Sequence, residues 1–592
     1  MLERCEDWVR SHRFVASAVL VLGAFVVFGG TLANGFVYDD VPQTLHNPFI
    51  RNPHLWRRIL TGSAWSFAGL GGDYYRPLQE FGYWAIYRVA GADPAVFHLV
   101  QLVVYAAAIW AVYRLGRELL QSDLAGFLGA LLWMLHPLHV EPVAWISALP
   151  DAGAGLFYVL GFWFFLRAER KTEGRWQAHL LSALFFFVAL NFKEMALSFP
   201  LVLAAWEVFF PREVPWLKRA IRYTPYLVVL VAYGAIRYAA VGRLAPSGRP
   251  WHVTMLVVST AVALLGSNTQ LFFWPVHLTG FREFNPATSL RSPWPWAVLL
   301  LALAALWFRR RERMLGFLIL WWPLALIPCL DYRQLSWPLV GDRFSFIPSV
   351  GFCLVIAYLA VVWLPRHVSS AVVYRFALPA VAVVALFWGA QTVRAIPHWR
   401  DNQTLMKYAA HAAPDSPFVH IDRAWNLEYR EGDLDGAARE FEAALRLNKA
   451  SFRPVFNLNY NAYLGLGNIA QAKGRRDEAK EYFEKAIRYW PQMSSAYHSL
   501  GAFYFTDRDY VRAAEVFKQA VRRDPQDLIG RFYLGTCLMK EGNYREAAEQ
   551  FEAARKVDPA YAEAYAAEAR ALEAAGDQAG AERVRALAPD AK

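Results

Sequence analysis

Apolar runs long enough to cross a lipid bilayer recur through the first two thirds of the chain, and no other feature constrains the fold as strongly. The clearest are 14–33, 95–113, 124–135, 152–166, 178–190, 196–210, 223–240, 254–274, 295–308, 314–330, 347–364 and 375–392. Each is long enough, or nearly so, to cross a ~30 Å hydrocarbon layer as a helix. After Trp399 the texture changes to Ala, Glu, Arg and Lys at helical spacing, with no further spanning run. Hydrophobic residues make up 56% of the 592 and charged residues 19%, against about one quarter charged in soluble domains. That deficit excludes a soluble enzyme, a disordered scaffold and a nucleic-acid-binding protein. The net charge of +11 then reflects Arg and Lys in cytoplasmic loops rather than a phosphate-backbone footprint. Cys5, Cys329, Cys353 and Cys537 are scattered and suggest neither a disulfide framework nor a zinc site.

The first run follows Arg4, Arg10 and Arg13 and ends at Leu32-Ala33-Asn34, which has the outline of a signal peptide. Because apolar runs keep coming, it reads as a retained first span. Basic clusters at 4–13, Arg114/Arg117, Arg167–Arg175, Arg212–Arg222, Arg309–Arg313 and Arg366–Arg375 mark cytoplasmic loops. Both flanks of 254–274 then fall outside the cytoplasm, so that run is expected to lie at the interface or re-enter. The expectation is about eleven spans, with the N-terminus cytoplasmic and the C-terminal domain on the other side.

The soluble third repeats. Leu466-Gly467, Ala470, Gly474, Ala479, Phe483, Ala486 and Pro491 return 34 residues later as Leu500-Gly501, Tyr504, Arg508, Ala513, Phe517, Ala520 and Pro525. They return again as Leu534-Gly535, Leu538, Gly542, Ala547, Phe551, Ala554 and Pro559. This is the tetratricopeptide signature: small residues let paired helices approach, Phe fills the gap, and Pro stops the second helix. A looser unit stands at Gly432, Ala437, Phe441 and Ala444, and a last one keeps Gly576 and Ala581 but places Arg585 where Phe is expected, as a polar cap requires. The chain is therefore expected to be all-α: a membrane domain at 1–392 with an outer loop at 34–94, a connector at 393–413, and a peptide- or protein-binding solenoid at 414–592.

Charges near membrane level are costly and point to function. Asp39 and Asp40 follow the first span in Phe36-Val37-Tyr38-Asp39-Asp40. Asp favours caps and turns, but a paired carboxylate there also suits a base that takes a proton from an acceptor hydroxyl, or a metal ligand. His136-Pro137-Leu138-His139-Val140-Glu141 and Asp151 lie on the same expected face. His139 with Glu141 suits a metal or acid–base pair, or simply a hydrogen-bonded loop end. In Lys193-Glu194 the two charges can neutralise each other, or the Lys can meet a phosphate oxygen. Arg343 (in Asp342-Arg343) and Arg76 (in Tyr74-Tyr75-Arg76-Pro77-Leu78) are forks for a phosphate or snorkelling side chains. Carboxylates and cations on one outer face suit group transfer from a lipid phosphate to a hydroxyl; no nucleotide-binding loop is present.

Tyr-Asp-Asp, Tyr-Arg-Pro-Leu, His-Pro-x-His-x-Glu, Lys-Glu, Asp-Arg-x-x-x-x-Pro-Ser and Trp399-Arg400-Asp401, followed by the repeats, resemble one family throughout. It is the transmembrane and tetratricopeptide-repeat-containing O-mannosyltransferases and their bacterial relatives, of the GT-C glycosyltransferase fold. The resemblance implies an inverting enzyme using a polyprenyl-phosphate-linked sugar, mannose above all, with its site facing the periplasm or lumen and protein Ser/Thr as acceptor. Asp39 or Asp40 becomes the essential acid of the first outer loop. Glu141, Lys193 and Arg343 are carried over as motif positions, Glu141 as a further catalytic residue and Arg343 and Lys193 on the donor phosphate, where the mechanism read from the residues adds Arg76. His139, Asp151 and Glu194 stand as metal or acid–base candidates, and a need for a divalent metal is left open. A glycan or lipid acceptor, a lipid-linked-sugar transporter and a non-catalytic repeat scaffold are the competing readings. The excess of Arg over Lys favours a bacterial inner membrane over an endoplasmic reticulum.

Overall fold

The computed structural model describes residues 2–68, 74–170, 174–211, 215–244, 254–333, 338–369, 372–525, 527–559 and 561–588. Among these every regular element is helical. The chain divides into two compact units, Met1–Ala413 and Pro414–Lys592.

The first unit is built on α1 (Arg13–Phe28), α2 (Pro77–Ala90), α3 (Pro94–Leu120), α4 (Asp123–Leu135), α5 (Leu149–Arg170), α6 (Arg175–Phe192) and α7 (Phe199–Phe209). It continues with α8 (Trp216–Val241), α9 (Met255–Phe273), α10 (Trp294–Arg311), α11 (Arg313–Leu326), α12 (Ser349–Tyr358), α13 (Leu378–Ala395) and α14 (Asn402–Ala412). Small residues let these helices close on one another, as they must where lipid supplies no hydrophobic drive. A methyl at Gly129 would run into Leu354 of α12, and one at Gly126 would stand 2.8 Å from the Cα of Arg117.

Length and apolarity qualify seven of the described helices to cross a membrane: Arg13–Ala33, Pro94–Leu120, Ile146–Arg170, Ala220–Val241, Met255–Phe273, Ser349–His367 and Arg375–Trp399. An eighth is added if Asp123–Leu135 and Pro137–Ala144, bent by 60° at their junction, form one span. The expected count of eleven is therefore not met by this measure, and four of the shortfalls have a local cause. Pro137 lacks an N–H and forces His136 into extended backbone (φ −67°, ψ 126°), which breaks the helix after Leu135. Helix α7 is only 11 residues long because the chain before it forms a 3-10 turn, Glu194–Ser198. Helix α10 carries three arginines in its last turn, and α11 stops after 14 residues to become a 3-10 turn. Conversely 254–274, expected at the interface or re-entering, is a continuous 19-residue helix apolar enough to cross.

The two ends of the bundle are tied by contacts distant in sequence. At one end Arg13 holds Asp123 through two bonds of 2.9 Å. At the other the Gly35 N–H donates to the Arg400 carbonyl at 2.8 Å, so the exit of the first span lies beside the exit of the last.

The second unit stacks five helix pairs. They are α15 (Pro417–Asn426) with α16 (Leu434–Ala450), α17 (Phe456–Ala472) with α18 (Arg476–Tyr489), α19 (Ser494–Thr506) with α20 (Tyr510–Arg523), α21 (Leu528–Glu541) with α22 (Tyr544–Val557), and α23 (Ala562–Ala574) with α24 (Gln578–Ala586). Phe517 and Phe551 sit against Gly501 and Gly535, where an added methyl would meet the ring at 2.7–2.8 Å. The turns within the pairs use a left-handed residue: Gly432, Gly474, Gly542 and Gly576 at φ 70°–86°, and Arg508 at φ 61°.

Candidate active site

The first span ends in a 3-10 turn, Gly29–Ala33, and the chain then reverses sharply. Tyr38 takes φ 50°, a left-handed conformation disfavoured for a residue with a Cβ. Its N–H donates to Asn402 Oδ1 at 2.7 Å. This turn sends Asp39 and Asp40 in different directions.

Asp40 is fully buried and its carboxylate is consumed by structure. Oδ2 accepts from the Val37 N–H at 3.0 Å, and Oδ1 from the Ser147 N–H at 2.7 Å and its hydroxyl at 2.6 Å. Burial still pushes Asp40 up to about 7 against these donors. Asp39 instead lines a cavity of about 540 Å³. Among the described residues its carboxylate accepts no hydrogen bond, and burial raises it to about 6, opposed by the Arg343 charge. Asp39 is thus a basic oxygen left free in a confined site.

The same cavity is lined by Arg76, Asp151, Lys193, Glu194 and Arg343. Lys193 Nζ donates to Asp151 at 2.5 Å; Arg76 donates to Glu194 at 3.0 Å. Burial lowers Lys193 below the usual lysine range, with Arg76 and Arg343 adding to the effect and Asp151 opposing it. Arg343 lies over the Trp145 ring at 5.1 Å, and its guanidinium and backbone N–H both donate to Glu141. Glu141 is buried behind Arg343 and is not part of the cavity wall; its room comes from Gly280, whose missing Cβ would lie 3.1 Å from Oε1.

The histidines stand elsewhere. His139 is buried between the Tyr105 hydroxyl at 3.0 Å and Ser349 Oγ at 3.1 Å. His136 caps the following turn through the Leu138 N–H and meets the Phe272 carbonyl at 3.2 Å. With both ring nitrogens engaged, these imidazoles lock the bend after α4. Among the described residues no three His, Cys, Asp or Glu side chains gather as metal ligands. Of the candidates read from the sequence, Asp39, Arg76, Asp151, Lys193, Glu194 and Arg343 meet in one cavity. Asp40 and Glu141 support it from behind, through Ser147 and Arg343, and His139 stands apart.

One cation was missed by sequence reasoning. Arg237, in the last turns of α8, lines the cavity and lies 3.8 Å from Glu194. Its signal was available, since a charge inside an apolar run at 223–240 rarely occurs without a polar partner or task. The cavity also has an apolar side, where Leu197, Leu201, Leu230 and Leu244 reach it from the α7 and α8 region. Leu197 and Leu201 are 41% and 38% exposed.

A sequence profile for dolichyl-phosphate-mannose-protein mannosyltransferases matches residues 77–237. It takes in Asp151, Lys193, Glu194 and Arg237, and excludes Asp39, Arg76 and Arg343. Tetratricopeptide profiles match 464–527, 534–591 and 504–554. The chain is 31% identical to protein O-mannosyl-transferase Tmtc2 of Drosophila melanogaster over 31% of its own length and 21% of that protein. It is 29% identical to Tmtc1 of the same organism over 32% and 22%. It is 24% identical to human TMTC4 over 69% of this chain and 64% of that protein. The chain thus spans roughly a fifth of the length of the two fly relatives. A solved tetratricopeptide structure, YrrB, is 26% identical over 31% of this chain and 90% of that one, with a TM-score of 0.26. The chain therefore joins a mannosyltransferase-type domain to tetratricopeptide repeats and is homologous to the TMTC O-mannosyl-transferases.

Proposed function

We propose that the chain is an inverting membrane glycosyltransferase that moves mannose from a polyprenyl-phosphate carrier to a hydroxyl, chiefly of protein Ser or Thr, on the periplasmic face of a bacterial inner membrane. The observation that carries this reading is the unbonded Asp39 carboxylate in a wall that also presents Arg76, Lys193, Arg237 and Arg343. A carboxylate without a donor suits a base, and Arg76, Lys193 and Arg343, held in place by Glu194, Asp151 and Glu141, are preset to turn toward an anionic phosphate.

Asp39 accepts the acceptor hydroxyl's proton as its oxygen attacks the anomeric carbon. The bond from that carbon to the phosphate oxygen breaks, and the carrier leaves as polyprenyl phosphate. Charge grows on the phosphate as it leaves, where preformed cations stabilise it without reorganising. Arg343 supplies a planar fork; Lys193, Arg76 and Arg237 surround the rest. The leucines of the α7 and α8 region receive the prenyl chain from the lipid side. Holding nucleophile and donor in line supplies much of the remaining rate. Glu141 orients Arg343, and the solenoid recruits the acceptor protein.

The test is transfer by the purified chain in lipid nanodiscs, using polyprenyl-phosphate mannose, glucose and arabinose with Ser/Thr peptides and glycans, scored by mass. Mannose on a peptide hydroxyl with an inverted anomeric centre is the expected product. Retention of configuration, or use of a nucleotide sugar alone, would overturn the proposal.

A further inference from the structure

The Trp399-Arg400-Asp401-Asn402 corner takes no part in the chemistry above, yet it touches the site's framework at three points. Asn402 Oδ1 accepts from the Tyr38 N–H at 2.7 Å. The Arg400 carbonyl accepts from the Gly35 N–H at 2.8 Å. Trp399 stacks on Trp145, with centroids 5.9 Å apart and planes 28° from parallel. Trp145 also packs against Tyr38 at 6.1 Å and carries the Arg343 guanidinium 5.1 Å above its ring. Asp401 fixes the corner by capping α14 at the Thr404 N–H, 2.8 Å away.

We infer that this corner is a brace that sets Asp39 and Arg343 relative to each other, and that Asn402 is its positioning residue. Tyr38 adopts its left-handed φ of 50° immediately before Asp39. A residue with a Cβ keeps such a conformation only where its surroundings over-determine it, and the Asn402 bond is one of the contacts that do so. Without it, the turn relaxes and Asp39 swings from the line between acceptor and donor. Through Trp399 and Trp145 the same segment presses on Arg343, so base and phosphate cation share one support. In-line transfer depends on that separation, since displacements of about 1 Å can cost a hundredfold in rate.

The inference rests on the assignment of Asp39 as base. Asn402 itself is exposed, so truncating it opens no cavity and leaves a kinetic effect separable from unfolding. The experiment uses the full chain in nanodiscs with polyprenyl-phosphate mannose and the acceptor that the wild type turns over. Asn402→Ala is expected to lower kcat about tenfold or more while donor Kd stays within about twofold, because Asn402 bonds the Tyr38 turn and not the Trp399–Trp145 stack that carries Arg343. Asn402→Asp keeps the acceptor oxygen and should recover most of the rate. Full kcat in Asn402→Ala while Asp39→Asn is inactive overturns the brace and leaves the base in place. Equal losses in the Ala and Asp variants, together with a common fall in Tm, also overturn it. Full transfer by Asp39→Asn removes the base assignment and the brace with it.

Discussion

A carboxylate under the charge of Arg343 but out of hydrogen-bonding contact with it, as Asp39 is, ionises against its burial. Asp39 and Asp40 both sit above the usual carboxylate range, at about 6 and about 7, while the unfolded chain ionises near 3.9. Between those values the folded state holds protons that the unfolded state has lost. The stability contributed by both groups is therefore complete below about pH 4 and lost as pH rises through 6 and 7. Activity runs the other way, since only ionised Asp39 accepts a proton. Transfer should climb through about pH 6, and Asp39→Asn should lose about 10²-fold or more in rate. At pH 8 the same variant should unfold later than wild type, by a margin on the order of 1–2 kcal/mol. Asp40→Asn instead breaks a buried three-donor cradle and should lose about 1–3 kcal/mol of stability. Rates and thermal unfolding across pH 5–8 check both, and parallel loss of rate and stability in Asp39→Asn would refute the division of roles. The chain order shows two adjacent acids but not which one turns inward. That choice is made by Ser147 and by the positive φ of Tyr38, both invisible in a local pattern.

At the scale of elements, the repeats were legible residue by residue. Gly against Phe, the left-handed turn and the polar last pair all follow from a 34-residue period whose reasons are local. One position breaks the local rule: Arg508 occupies the left-handed turn at φ 61° where its counterparts are Gly474 and Gly542. Arg508→Gly should stabilise the repeat unit by about 0.5–1 kcal/mol, because glycine adopts this conformation without a Cβ clash. Thermal unfolding of the full chain, followed through the repeat aromatics, measures it; a lower Tm would show that Arg508 makes compensating contacts. The spans were less legible. Apolar runs at 178–190, 196–210, 295–308 and 314–330 look like crossings to a window scan. Helices over 196–210 and 314–330 are cut short beside 3-10 turns, and the one over 295–308 ends in three arginines, features that hydropathy does not weigh.

For the molecule as a whole, the tie between Gly35 and Arg400 matters more than any count of spans. The first span begins at the Arg13–Asp123 end of the bundle, and the last exits at the opposite end, beside Asp39. We infer an odd number of crossings between them, with the Trp399 end of the last span on the face that carries the cavity. A reporter active only in the cytoplasm should work when fused ahead of Met1 and fail after Lys592. Activity at both ends would refute the arrangement.

From its own pattern the sequence determined a membrane part, a tetratricopeptide part and the class of charged residues to examine, because hydropathy and repeat period are properties of neighbouring residues. Tertiary structure alone decided that Asp39 faces the cavity, that Glu141 stands behind Arg343, that His136 and His139 lock a bend, and that Arg237 joins the cations. Arg237 is carried on a helix; the other outcomes depend on where side chains of loops and short turns point. In a loop that direction is set by partners a hundred or more residues away, such as Ser147 for Asp40, Arg343 for Glu141 and Asn402 for Tyr38.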